Sequence, residues 1–183
     1  GAKGDGVSDS TRAIQAALRD VPAEGGTVYF PEGTYLIQNT IEIATDQTTL
    51  QGIYGASVIK VADGSLIERV ISSNGQNWLK LSDLVVDANH QGPTRSVGIG
   101  LNCNDATLMN VIVKNTIGSN QQSGVGIGVN GNRNRIVNCA AIDCGLPDAR
   151  PSDGFYLSGT QNLLMGCVAK NCTDTGFVIE TAN

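Results

Sequence analysis

The chain has 183 residues, 40% of them apolar and 16% charged, with a formal net charge of −5. That length suits one domain with a real core. Mild acidity without clustered Lys and Arg argues against nucleic acid as a partner, and no apolar run reaches the ~18 residues that a membrane helix needs.

Gly1–Ser10 reads as a glycine-rich turn leading into a short helix over about residues 9–20. Asp9 or Ser10 can cap that helix, and Ile14, Ala17, Leu18 and Val21 give it one apolar stripe. Gly25 to Ile37 reads as strand, turn, strand; 48–52 and 57–61 continue in short strands, and Trp78 opens the next unit as a rim or core aromatic.

From there the sequence repeats itself. Val97–Asn102 (VGIGLN), Val125–Asn130 (VGIGVN), Asp153–Ser158 (DGFYLS) and Thr175–Glu180 (TGFVIE) match, with Gly98, Gly126 and Gly154 spaced by 28 and Gly176 following after 22. A second set, Leu108–Val113, Ile136–Ala141 and Leu164–Ala169, repeats in step, also at 28. Strict alternation places Val97, Ile99 and Leu101 on one face, and Gly98, Gly100 and Asn102 on the other. Repeats of this length built from short strands, Gly and Asn, with no helical period, predict stacked coils. The expected fold is all-β: a single-stranded parallel β-helix of about six coils over about 26–181, on the order of 30 Å long at ~4.8 Å per coil. The helix would cover the open core and strand edges of the first coil. Residues 1–183 then form one domain. With nothing to cover the last strands after Glu180, the chain is expected to be the N-terminal part of a longer β-helix.

Asn110 and Asn138, and then Asn115, Asp143 and Asn171, recur at bends and predict side-chain ladders between coils. Five cysteines leave at least one thiol unpaired within the chain. Cys139 with Cys167, and Cys144 with Cys172, are 28 apart and stack in adjacent coils. Free thiols buried as small apolar groups and a bridge in one pair both remain open, although parallel side chains fit disulfide geometry poorly. One histidine and no Cys-x-x-Cys argue against zinc.

The stretch GAKGDGVSDSTRAIQAAL followed by GGTVYFPEGTYLI resembles the N-terminal signature of the pectate-lyase-like superfamily, near its polygalacturonase, mannuronan C5-epimerase and tailspike depolymerase members. The resemblance implies a right-handed β-helix, a secreted setting and a polysaccharide laid across the sheet that holds the four glycine stretches. Pro151–Phe155 is similar to the Asn-Thr-Asp-Gly motif of polygalacturonases, with Tyr156 where that motif has a second Asp, and Asp174 lies 21 residues beyond Asp153. Repeat register sets Asp153 and Asp174 at one edge of adjacent coils, ~5–8 Å apart. A carboxylate pair is what acid/base work on a glycosidic bond requires.

The expected function is therefore an extracellular carbohydrate-active protein acting on an acidic polysaccharide by hydrolysis, elimination or epimerisation. Asp153 and Asp174 are its catalytic candidates. Tyr156, Arg150, Ser158, Asn130, Glu180 and Lys170 are candidates for substrate contact, with Arg150 best placed to meet a uronate carboxylate. No Asp spacing builds a calcium loop, and a calcium ion between chain and acidic sugar is the one cofactor this reading leaves open. His90 reads as a surface residue of a polar loop. The competing expectation is a non-catalytic glycan-binding or structural module, such as a tailspike segment, whose chains associate as a homotrimer through outward residues such as Ile112, Ala140 and Val168.

Overall fold

The computed structural model describes residues 1–92, 95–119, 121–147 and 150–181. Among the described residues, nineteen strands and one helix wind as a parallel β-solenoid with three long sheets running its length. One sheet has seven strands, from Asp5–Asp9 through Gly33–Ile37 to Val168–Lys170. A second has six: Ile41–Ile43, Arg69–Asn74, Val97–Asn102, Gly124–Asn130, Ser152–Ser158 and Phe177–Glu180. The third, also six-stranded, runs Gly26–Tyr29, Thr48–Gln51, Lys80–Ser82, Thr107–Met109, Arg135–Val137 and Leu163–Met165. Strands inside each sheet bond to their counterparts one coil before and after, and the strands at its two ends to one counterpart, so the 28-residue spacing becomes columns of equivalent residues. Val97 pairs with Val125, Val125 with Asp153, and Gly128 with Tyr156.

The core is a continuous stack of Ile, Leu and Val. Ile59, Ile71, Leu81, Ile99, Leu108, Ile127 and Ile136 are fully buried in it. Phe155 lies over Phe177 of the next coil, ring centroids 4.9 Å apart. The helix spans Thr11–Arg19 and buries Thr11, Ile14 and Leu18. In its first turn the Asp9 carboxylate accepts the Thr11 N–H at 3.0 Å, while the Ser10 hydroxyl caps no N–H of the helix and is turned to the Lys3 carbonyl. The Thr11 hydroxyl, bonded to the same carboxylate, is the largest cause of its lowered pKa.

The bends carry the ladders expected of them. Asn110, Asn115, Asn138, Asp143 and Asn171 all have positive φ between 51 and 60°, a conformation that Asn and Asp tolerate best among side-chain-bearing residues. Asn115 donates to Asp87 and Asn171 to Asp143, each at 2.8 Å. A further ladder, Asn134 with Asn162 at the same spacing of 28, was not among those expected. Fully buried Asn134 accepts the Ala106 N–H (2.9 Å) and donates to the Cys103 carbonyl (3.0 Å). One coil later Asn162 repeats the device on Asn134 N–H and the Gly131 carbonyl. Asn134→Ala strands two backbone groups away from water and is expected to cost about 2–4 kcal/mol. A urea midpoint unmoved by that substitution would show the ladder to be dispensable.

All five cysteines are free thiols. The two pairs do stack: Cys144 and Cys172 are hydrogen-bonded to each other, which keeps Cys144 protonated and lowers Cys172. Burial pushes the Cys103 and Cys139 thiols up to about 12. At neutral pH these two behave as small apolar side chains.

Candidate functional site

The glycine stretches differ from strict alternation at one point. Gly98, Gly126 and Gly154 face inward: a Cβ on Gly98 would run into the Val113 side chain, and one on Gly126 would sit 2.9 Å from Ala141 Cβ. Ile99, Ile127 and Phe155, the next residues along, face inward as well. Two successive residues on one side mark a corner, and the parity before it is inverted. Val97 and Val125, expected inside, are on the outer face, and Asp153 shares that face with Tyr156 and Ser158.

The outcome is a cleft of about 380 Å³ across the outer face of the second sheet. Gly100 and Gly128 are its floor, Val97 and Val125 its apolar side, Arg69 and Arg95 one end, and Asp153 and Tyr156 the other. The floor glycines have a reason distinct from coil packing. A Cβ on Gly100 would lie 3.0 Å from Arg69 Nη1, in the slot the guanidinium occupies. At Gly128 the nearest atoms to a Cβ are at 3.5 Å or more, so the missing side chain there leaves floor space open to a ligand.

Asp153 is 8% exposed and its Oδ1 accepts the Thr175 N–H at 3.1 Å. Its pKa is raised, first by burial and then by the neighbouring negative charge of Asp174. Asp174 is thus close enough to act on Asp153, but its own Oδ2 is taken by the Ser123 hydroxyl and its N–H by the Ser152 carbonyl. Tyr156 donates its phenol proton to Glu180 Oε2, a bond that raises the phenol pKa. Ser158 and Asn130 belong to a polar column beside the cleft: Ser158 donates to Asn130 Oδ1 (2.8 Å) and Asn130 to Asn102 Oδ1 (3.0 Å).

Of the candidates, Asp153, Tyr156 and Asn130 line the cleft. Asp174, Glu180 and Ser158 are bonded to residues that line it or to their neighbours. Arg150 lies in the adjoining loop, paired with Leu146 by backbone hydrogen bonds, and its carbonyl faces the Thr173 hydroxyl. Asp148 and Ala149 of that loop, and Ala182 and Asn183, are outside the described residues. Lys170 is in the seven-stranded sheet, paired with Ile142, and does not share the face that bears the cleft. His90 hydrogen-bonds the Asp143 carbonyl at 3.4 Å, in the polar loop expected of it.

Arg69, Arg95, Gln122 and Ser123 went unseen in the sequence. Counting 28 residues back from Val97 lands on Arg69, and the two do pair. With Val97 assigned to the core, that register hid Arg69 instead of revealing it. Arg95 is held by Glu68 at 3.1 Å. Among the described residues no group of three His, Cys, Asp or Glu side chains is placed to hold one metal ion, and no helix is long and apolar enough to cross a membrane.

The fold is thus a parallel β-solenoid with a cleft across its strands, cationic at one end and acidic at the other. The chain belongs to the family described as rhamnogalacturonase A/epimerase, pectate lyase-like, whose sequence profile matches residues 1–182. The A-module of mannuronan C5-epimerase AlgE4 from Azotobacter vinelandii superposes with a TM-score of 0.77 at 28% identity, over 98% of this chain and 51% of the module. Alginate lyase 7 of the same organism is 38% identical over 102 residues, 49% of this chain and 12% of that protein. The N-terminal fragment of bacteriophage phi29 gene product 12 shares the fold, with a TM-score of 0.68 at 20% identity over 93% of this chain and 33% of that one. The chain thus spans about half of the epimerase module and a small part of the lyase.

Proposed function

We propose that this chain forms part of a carbohydrate-active β-helix that works outside the cell, binds a uronate-containing polysaccharide in the Arg69–Asp153 cleft and moves a proton on it. One observation carries the reading: a buried carboxylate with a raised pKa and a tyrosine phenol share an open-floored cleft with Arg69. Arg69 would grip the sugar carboxylate through charge-assisted hydrogen bonds. Three strand pairings separate Arg69 from Asp153, about 14 Å, so the sugar that Arg69 grips is a neighbour of the one that reacts, and the grip sets the register of the polymer in the cleft. Asp153 and Tyr156, at the other end of the cleft, are the groups able to take or return the proton on the ring carbon beside the carboxylate of the sugar seated there. Removal of that proton is common to C5-epimerisation and to elimination, and relatives bearing both names support the choice. Hydrolysis fits less well, because the second carboxylate, Asp174, is engaged by Ser123.

The test is turnover of polymannuronate and polygalacturonate, with and without calcium, followed by proton NMR for epimerisation and ultraviolet absorbance for unsaturated ends. Arg69→Ala is expected to raise KM about 10–100-fold, the loss of one charge-assisted contact, with a smaller change in kcat. An unchanged KM would remove Arg69 from the reading. New reducing ends without unsaturation or inversion would replace proton transfer by hydrolysis.

A further inference from the structure

A second surface, on a different sheet from the cleft, has the makings of a binding site. Trp78 is 53% exposed and borders an open groove of about 540 Å³ with Gln47, Thr49, Thr27 and Lys80. Its backbone is in the left-handed region, φ 56°, because it occupies a turn that every coil repeats: Gln47, Asp105, Arg133 and Gln161 have φ of 56–60°. That conformation disfavours a bulky side chain. An indole set at such a turn, largely in water, gains little from burial, so packing does not account for it.

The groove continues as a row along the solenoid. Strand register aligns Thr27, Thr49, Lys80, Thr107 and Arg135 in successive coils on the outer face of the third sheet. Lys80 and Arg135 are exposed, and among the described residues neither takes part in an ion pair. Two coils separate them, about 10 Å, comparable with the reach of two linked pyranose rings. Three acids lie near the row. Asp46, beside Gln47, accepts the Asn77 N–H at 3.0 Å, on the Trp78 side of the groove. Asp105, one coil along from Trp78 in the turn column, is neutralised by a bidentate bond from Arg133 (2.8 and 2.7 Å). Glu24 is at the far rim of the groove and leaves Arg135 unopposed. In a chain with a net charge of −5, two unpaired cations in one row are a local exception.

We infer that the Trp78–Lys80–Arg135 face is a second glycan track, on which an anionic polysaccharide stacks one sugar ring on the indole and sets its carboxylates against Lys80 and Arg135. The apolar underside of a pyranose covers an aromatic ring, and the threonine hydroxyls and Gln47 bond its rim. This track holds polymer apart from the cleft and does not depend on any chemistry at Asp153.

Trp78 is the chain's one tryptophan, so its emission reports this face directly. The intact protein is titrated with hexamers of mannuronate, of galacturonate and of neutral cellulose. The expected result is a saturable change with the acidic hexamers, at least fivefold weaker in Lys80→Ala and in Arg135→Ala, and unaltered in Asp153→Asn. Trp78→Phe, followed by calorimetry, should lose this binding phase while keeping any phase due to the cleft. Silence with all three hexamers overturns the track. An equal response to the neutral hexamer, or one indifferent to Lys80 and Arg135, overturns its anionic specificity. Loss of the response in Asp153→Asn would assign it to the cleft. Failure of turnover in the cleft with an intact Trp78 response leaves this inference standing, so the two readings fail separately.

Discussion

Asp153→Asn is expected to lower turnover of whichever uronan the protein accepts by about 10²–10⁴-fold, the range for loss of a positioned acid or base. The amide matches the carboxylate in shape, and its oxygen can still accept the Thr175 N–H, so the fold should survive. Stability supplies an independent check. The folded-state pKa of Asp153 lies above its ordinary value of 3.8, so the folded protein holds that proton more tightly than the unfolded chain does. Keeping the group ionised therefore destabilises the fold; this effect is absent below the ordinary value and grows as pH rises through the folded pKa. The Asn variant lacks it. Its melting temperature should exceed that of the parent near neutrality and converge with it in acid. Unchanged turnover would remove Asp153 from the chemistry, and a parallel pair of melting curves across pH would contradict its raised pKa.

Gly126→Val should damage the fold more than any substitution on the outer face of the cleft. A Cβ at that corner would lie 2.5 Å from the Gly154 carbonyl oxygen, 2.9 Å from Ala141 Cβ and 3.2 Å from Cys144 Sγ. The first of these is backbone of the next coil, so relief requires moving the strand that carries Asp153. A loss of at least about 3 kcal/mol is expected, or roughly 6–12 °C in Tm for a chain of this size. Gly128→Ala, two residues away on the outer face, meets nothing closer than 3.5 Å and should fall within about ±0.5 kcal/mol. Equal effects of the two would mean that the corner relaxes more readily than its contacts suggest.

The solenoid was legible because a repeat of 28 is a property of the sequence alone. Val97, Val125 and Asp153 had to share a column whichever way they faced. The direction they face was not legible, since period-2 reasoning holds only while a strand stays straight. At Gly98 the chain turns a corner, and one inverted parity misplaced Val97 and Val125 and with them Arg69. Asp153 and Tyr156, which line the cleft, were singled out because a motif resemblance pointed at that stretch. Asn134 was missed for another reason: its counterpart one coil back is Ala106, so the column repeats Asn only at 134 and 162, and nothing in the sequence shows that the Cys103 carbonyl needs a donor. The glycines, for which close stacking and an open floor were rival explanations, divide between the two according to the side of the sheet they face.

Because every column bonds only to the coil before and the coil after, the molecule behaves energetically as a one-dimensional chain with nearest-neighbour coupling. Influence decays coil by coil. The helix Thr11–Arg19 and the carboxylate of Asp153 stand several coils apart and are close to thermodynamically independent, so substitutions that loosen the first coil should leave the acidity at the cleft where it is. Variation at the two ends of such a rod is separable: the stretch that carries the cleft can change its chemistry without renegotiating the stretch that begins the winding.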